Sequence, residues 1–442
     1  MPDPNLFPRF ALGAVRGALA DTPAVAIQGA RQVGKSTLAA VVAADSKASV
    51  VTLDNPAALA VAREDPMAII GQSAGLAVID EAQRAPGLIL PLKASIDADR
   101  RPGRFLLTGS ADLLNVKGVG DSLAGRIETV ELMPLSQGEL ERRVEPEDFV
   151  TWLAALTAAS ALGAEPAVGQ FGALDPAAVF RGGLPEPAQR TELRARRWFT
   201  SYVARLAGHD ARELAHGGYA DRLRALLGQI AGRGLSELVK ARVARDLDVA
   251  ESTADGYLRL ARDMRLMIEF PAWNRAPMKR LTRRPKVCLM DTGLAAALAG
   301  FASAKVAGVG GREYYGALVE QFVALELAKQ SGWSATPFDL YHLRDLDGLE
   351  ADLVVETDQN TLIAIEVKAT STPVAKHWRN LAALRRRLPE RDFIGVLLHT
   401  GSFAARLHDW LHVLPITALW RHRAANLGAA QRRGGHRMES GV

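Results

Sequence analysis

Residues 29–36 read Gly-Ala-Arg-Gln-Val-Gly-Lys-Ser and satisfy G-x-x-x-x-G-K-[ST] at every fixed position. Few folds accept that spacing. It calls for a buried strand before it, a helix after it, and a loop whose N–H groups turn inward on an anion. The apolar residues Val25, Ala26 and Ile27 supply the strand, and a helix starting near Thr37 would aim its N-terminal dipole at the same point. Gly29 and Gly34 let the backbone close around phosphates, and Ala30, Arg31, Gln32 and Val33 lie between them in the nest. Lys35 would reach the β and γ oxygens and Ser36 would offer a hydroxyl to Mg²⁺. ATP with Mg²⁺ is therefore the expected ligand pair.

Holding a nucleotide is not hydrolysing it, which also requires a metal-holding acid and a group that activates water. Leu76-Ala-Val-Ile-Asp-Glu81 is an apolar strand ending in two acids. Asp80 is the candidate metal residue and Glu81 the candidate for the attacking water. Phe105-Leu-Leu-Thr-Gly-Ser110 is a further strand ending in hydroxyls. Thr108 or Ser110 would sense the γ-phosphate there, or the pair would form an ordinary strand-end turn. Arg126, in Ser122-Leu-Ala-Gly-Arg126, is a candidate to stabilise transition-state charge, from its own chain or a neighbouring subunit. A surface ion pair would explain it equally well.

Along the chain, short β-rich runs at 24–28, 50–54, 76–80 and 104–108 alternate with helix-compatible segments, which predicts a parallel sheet covered by helices. The organisation predicted is a P-loop domain at 1–140 and a helical connecting or lid region at 141–230, turning at Gly182-Gly183. A winged-helix-like segment follows at 231–300, then a further α/β block at 310–420 and a basic, disordered tail at 421–442. In the third segment helices are expected from Leu235 and over 243–247. Ser252 or Thr253 would cap another that buries Ala254, Tyr257, Leu258, Ala261 and Leu266. The fourth block opens on a helix at 317–329, with strands near 338–343, 352–356, 362–367 and 393–398.

Composition narrows the class. With 48% hydrophobic and 23% charged residues in 442, the chain is globular rather than disordered or collagenous. Its one cysteine, Cys288, lies in an apolar run and reads as a buried thiol in a reducing compartment. No run approaches the length needed to span a bilayer and the N-terminus has no secretory pattern, so a cytoplasmic protein without membrane contact is expected. The net charge of +5 is uneven. Arg275, Lys279, Arg280, Arg283, Arg284 and Lys286 form an acid-free block, a second excess lies in the tail, and the remainder is mildly acidic. Such a block suits a localised polyanion contact. His209, His216 and His377 show no zinc-ligand spacing.

Near the C-terminus, Asp352 opens one strand and Glu366-Val-Lys368 closes another, with Glu366 and Lys368 on one face by alternation. Two acids and a lysine meeting at strand ends can hold a divalent metal and polarise a phosphodiester, with Glu320 on the preceding helix as a further ligand. The arrangement resembles PD-(D/E)xK nucleases. Solvated strand-end residues, or a nuclease-like fold without activity, would leave the same pattern.

Taken in order, 29–38, Val78-Ile-Asp-Glu-Ala-Gln83, Leu107-Thr-Gly-Ser110, Leu123-Ala-Gly-Arg126, Gly182-Gly-Leu-Pro185, Asp291-Thr-Gly-Leu294, Glu320-Gln-Phe-Val323, Glu350-Ala-Asp352 and Ile365-Glu-Val-Lys368 resemble the prokaryotic AAA-family ATPases that carry a C-terminal domain of unknown function, DUF4143. The likeness runs from about residue 10 to 420. It implies an α/β chain: a P-loop ATPase sheet, a helical and winged-helix middle, and a restriction-endonuclease-like C-terminal domain. Ser36 stands where many members have Thr, and the tail has no counterpart. Two outputs follow from this reading. In one, ATP hydrolysis serves a DNA- or other nucleic-acid-binding module of weak sequence preference, because the third helix of the winged segment offers no Asn or Gln to base edges. In the other, nucleotide state switches a protein–protein scaffold and the winged segment only packs. An oligomer is compatible with either.

Overall fold

The computed structural model describes residues 6–46, 48–71, 75–109, 123–161, 171–210, 220–280, 283–345 and 347–422; Ser110, Ser122, His216 and the tail beyond residue 422 lie outside them. After helix α1 (Ala11–Asp21), strand β1 (Ala24–Gln28) is buried at every residue, as a strand covered on both faces must be. It leads through the Gly-rich loop into α2 (Lys35–Ser46). β2 (Ser49–Thr52), β3 (Ala77–Asp80), α3 (Ile89–Ala98), β4 (Phe105–Gly109) and β5 (Ile127–Glu131) complete a five-stranded sheet of order β2-β3-β4-β1-β5. Every pairing is parallel. Register aligns Ile27 with Thr108 and Gln28 with Glu131, while Thr52 faces Asp80. The carboxyl ends of the strands thus gather on the edge where the loop lies, the usual ligand edge of an open α/β sheet. β5 was not anticipated: Ile-Glu-Thr-Val-Glu is a half-exposed edge strand without an apolar run.

A one-turn helix, α4 (Gln137–Leu140), begins on a capping box in which Ser136 and Glu139 satisfy each other's backbone N–H. Helices at 149–161 and 176–181 follow, then α5 (Glu192–Arg205) and α6 (Ala220–Arg233). Beyond them come α7 (Lys240–Leu247) and α8 (Glu251–Asp263). β6 (Ser236–Glu237), β7 (Met267–Phe270) and β8 (Lys286–Leu289) form a three-stranded antiparallel sheet of order β6-β8-β7. Two local expectations are corrected. The segment after Leu235 is a strand, because Ser236 and Glu237 pair with Val287 and Lys286. α8 is capped at Ala250 without a side-chain bond, so neither Ser252 nor Thr253 caps it. Its expected buried face, Ala254, Tyr257, Leu258 and Ala261, with Leu266 beyond it, is buried.

α9 (Thr292–Leu298) and α10 (Gly311–Gln330) lead into the last sheet. β10 (Glu350–Thr357) pairs antiparallel with β9 (Phe338–Arg344) on one side and with β11 (Leu362–Lys368) on the other. After α11 (Arg379–Arg387), β12 (Phe393–His399) runs parallel to β11. β13 (Ala405–His408) and β14 (Leu411–Pro415) extend the order to β13-β14-β12-β11-β10-β9. None of the helices in the described residues is long and apolar enough to cross a membrane.

One apolar core runs without a break from the first sheet (Val25, Ile27, Leu106) through the middle (Leu226, Leu258) to α10 and the last sheet (Phe322, Ile365). From Leu318 to Gln330 nearly every residue of α10 is buried, polar Gln321, Glu326, Lys329 and Gln330 included, so the helix is enclosed by protein. Near its end Lys329 bonds Glu326 at 2.6 Å and the Leu135 carbonyl at 3.0 Å, and Glu326 accepts the Gln137 N–H at 2.9 Å. Leu135 in turn donates to the Gly183 carbonyl, and Asp291 accepts from the amides of Gly183, Leu184 and Leu294. A Cβ at Gly182, whose φ is +68°, would lie 2.3 Å from the Asp291 carboxylate. The Gly182–Pro185 and Asp291–Leu294 motifs are thus two halves of one joint.

Lys329 and Glu326 are 6% and 0% exposed, so removing one charge strands the other. Lys329→Met is expected to cost about 3–5 kcal/mol, read as a lowered melting temperature in calorimetry; a wild-type melting temperature would show that the pair is not structural.

Candidate functional site

The loop between β1 and α2 has the shape its sequence predicts. Gln32 (φ +63°) and Gly34 (φ +99°) both adopt left-handed backbone, tolerable for glycine and strained for glutamine, as functional loops often are. Lys35 is buried, and its Nζ donates to the carbonyls of Gly29 (3.0 Å) and Ala30 (2.9 Å). Ser36 and Thr37 are exposed at the head of the helix. Burial pushes the Lys35 ammonium down to about 8, against the opposing pull of Glu81 and Asp80.

Asp80 ends β3 beside this helix. Its Oδ1 accepts from Ser36 Oγ at 2.7 Å and from Thr108 Oγ1 at 2.5 Å, and its Oδ2 from Thr52 Oγ1 at 3.2 Å. Three hydroxyls from three elements therefore converge on one carboxylate. Glu81, with φ +57°, turns sharply off the strand; its N–H donates to Thr108 Oγ1 at 3.1 Å and its carboxylate accepts from Gln83 Nε2. Thr108 bridges the two acids, so its hydroxyl is already committed to them rather than standing free for a γ-phosphate. Of the predicted residues, Lys35, Ser36, Asp80, Glu81 and Thr108 are brought together. Thr52 and Gln83 were not singled out; Gln83 stood in the 78–83 run, while Thr52 became visible only through the pairing of β2 with β3.

Arg126 is not at this site. It immediately precedes β5, whose first residue pairs with Ala24, the first of β1, so it lies at the edge of the sheet opposite the loop. A five-residue strand separates the edges by roughly 15 Å. Its guanidinium makes a two-pronged pair with Asp97 of α3, at 2.7 and 3.0 Å. A role for Arg126 at its own chain's loop is therefore corrected to a surface ion pair.

The C-terminal residues do meet. A register shift in β10 between Ala351 and Val354 frames Asp352, whose Oδ2 accepts the Val367 N–H at 2.8 Å. Lys368 Nζ is 2.5 Å from Glu366 and 3.9 Å from Asp352, and Lys286 Nζ is 2.7 Å from Glu320. Burial, reinforced by Asp352, pushes both Glu320 and Glu366 up. Glu366 Oε2 is buried without a hydrogen bond. Lysines, however, occupy the positions a cation would take, and among the described residues no group of three His, Cys, Asp or Glu is placed to hold a metal. As folded, these carboxylates are paired with lysines rather than grouped around one cation position.

Nor is the basic block free. Arg275 pairs with Glu390, Arg280 bonds Glu356 (2.6 Å) and Tyr341 (3.2 Å), Arg283 donates to the Arg344 carbonyl (2.9 Å), and Lys286 is on Glu320. Arg280 and Arg283 reach β10 and β9, Arg275 reaches the loop after α11 and Lys286 reaches α10, while Lys279 and Arg284 are exposed. His342, buried against this block, is pushed down to about 4 by desolvation.

These features define an AAA-type P-loop ATPase with a parallel sheet. The AAA domain model matches residues 21–141, a domain of unknown function (DUF8612) matches 176–305, and DUF4143 matches 315–419. Among curated proteins, the uncharacterized proteins Rv2008c of Mycobacterium tuberculosis and Mb2031c of Mycobacterium bovis are each 30% identical over 373 residues, covering 83% of this chain and 74% of theirs. The chain belongs to this family of AAA-domain proteins with a C-terminal DUF4143 domain. Similar solved structures include the Walker-type ATPase PABY2304 of Pyrococcus abyssi, at 14% identity and TM-score 0.38 over 66% of this chain and 96% of that one. The RuvB Holliday junction branch migration motor of Thermotoga maritima follows at 22% and 0.27, over 59% and 86%.

With burial pushing the Lys35 ammonium down to about 8, nucleotide affinity should weaken by up to ~10-fold per pH unit above 8. Fluorescent-ADP titrations at constant ionic strength would show this; an affinity unchanged up to pH 9.5 would contradict it.

Proposed function

We propose that the chain binds ATP with Mg²⁺ at 29–36 and hydrolyses it, and that nucleotide state is passed to the C-terminal module. The observation that supports this best is the Ser36–Asp80 bond of 2.7 Å with Glu81 held alongside. Those two groups fit a magnesium ion, which when bound neutralises charge on the β and γ phosphates. Lys35 exchanges the carbonyls of Gly29 and Ala30 for phosphate oxygens. Glu81, held at its backbone by Thr108 and at its carboxylate by Gln83, orients the attacking water and accepts its proton.

For the output, the order α10–β9–β10–β11–α11–β12, with acids on α10, β10 and β11 and a lysine on β11, supports a restriction-endonuclease-like module. The helices and three-stranded sheet at 220–289 likewise support a winged-helix-like unit. A nucleic-acid-directed role therefore remains one reading. The second, a nucleotide-switched protein scaffold with a catalytically inactive C-terminal fold, is favoured by a specific observation: Lys286 and Lys368 fill the carboxylate cluster, and most of the basic block is spent inside the protein.

Glu81→Gln is expected to keep ATP affinity and lose hydrolysis by at least ~10²-fold in a phosphate-release assay; near-wild-type turnover would remove Glu81 from the reaction. ATPase rate with and without DNA, together with DNA incubation in Mg²⁺ or Mn²⁺, separates the outputs. The scaffold reading expects a flat rate and no cleavage. Cleavage lost in Asp352→Ala and Lys368→Ala would establish the nuclease instead.

A further inference from the structure

The phosphate loop is held from outside its own strand and helix. Arg265, in the turn after α8, donates to Gln28 Oε1 at 2.7 Å, and Tyr202 of α5 donates its hydroxyl to the Arg31 carbonyl at 3.0 Å. The third hold is the strongest. Arg9, just before α1, gives Nη1 to the Val33 carbonyl at 2.5 Å, Nη2 to the Met133 carbonyl at 2.7 Å and Nε to Glu139 Oε1 at 3.2 Å. Arg9 is 11% exposed and Glu139 1%. Its guanidinium lies 3.3 Å from where a Cβ on Gly34 would stand, behind the residue whose left-handed backbone turns the loop.

Glu139 is itself fixed by the N–H groups of Phe10 (2.7 Å) and Ser136 (2.9 Å). It sits on α4, whose Gln137 N–H is bonded to Glu326 of α10. Phe10 meets Trp333, just past α10, edge to face at 5.5 Å. One guanidinium therefore ties the phosphate loop to the element that joins the ATPase sheet to the C-terminal module.

We infer that Arg9 is a positioning residue for nucleotide binding: by fixing the Val33 carbonyl it keeps the loop amides facing the phosphates, and its anchor on Glu139 makes nucleotide affinity depend on the interdomain joint. The inference rests on the nucleotide reading above. Arg9 does not touch the transferred group, so its effect falls equally on ground and transition states; such an effect raises KM and leaves kcat nearly unchanged.

The test uses the full chain, with fluorescent ADP for affinity and steady-state ATP hydrolysis for KM and kcat, well below the melting temperature. Arg9→Met should weaken affinity and raise KM by ~10-fold with kcat within ~2-fold, and Arg9→Lys should recover most of the loss. Glu139→Gln, which leaves Arg9 in place but loosens its anchor, should weaken affinity by a few-fold, and it carries the test if Arg9→Met does not fold. Wild-type affinity in folded Arg9→Met or in Glu139→Gln, or a fall in kcat at constant KM, would overturn the inference. Absence of nucleotide binding by the wild type would instead refute the nucleotide reading.

Discussion

The buried contact between Lys329 and Glu326 near the end of α10 is the constraint on which the arrangement of the whole chain depends. Two charges removed from water are costly unless they gain further hydrogen bonds, and here backbone from the ATPase side supplies them: the Leu135 carbonyl and the Gln137 N–H. The pair can form only if the segment following β5 is laid across α10. That placement brings Leu135 to Gly183, and Gly183 to Asp291, so distant parts of the chain close on one another. The C-terminal module consequently shares a core with the ATPase rather than hanging from a linker.

The phosphate site illustrates a similar economy. Asp80 gathers hydroxyls from the loop helix, from β2 and from β4, so its position reports the registry of three neighbouring strands. Thr108 connects Asp80 to the backbone of Glu81, and a displacement of β4 would disturb both acids together. Lys35, bonded to two loop carbonyls, makes the loop a closed ring that a phosphate must open.

Much of this was legible in the sequence because it is local. Loop, strand and helix around Lys35 follow from a contiguous motif, and the apolar runs of β1, β3 and β4 could be read directly. What was not legible depends on partners far along the chain. β5 is an edge strand whose pattern is polar, and Ser236–Glu237 is a strand only because β8 pairs with it. Arg126 looked available until Asp97, on a separate helix, was seen to hold it. The block from Arg275 to Lys286 shows the same limit most clearly. Its charge was correctly located, but Glu390, Glu356 and Glu320, which neutralise it, are up to 115 positions away. Composition records an excess of charge; only the fold says whether water or a carboxylate faces it.

Lys35, Ser36 and Asp80 form the proposed ATP site. Calorimetric titration of the 442-residue chain with ATP and Mg²⁺ tests that site most directly. One site per chain is expected, with binding abolished in Lys35→Ala; a folded Lys35→Ala protein that binds ATP with wild-type affinity would contradict it.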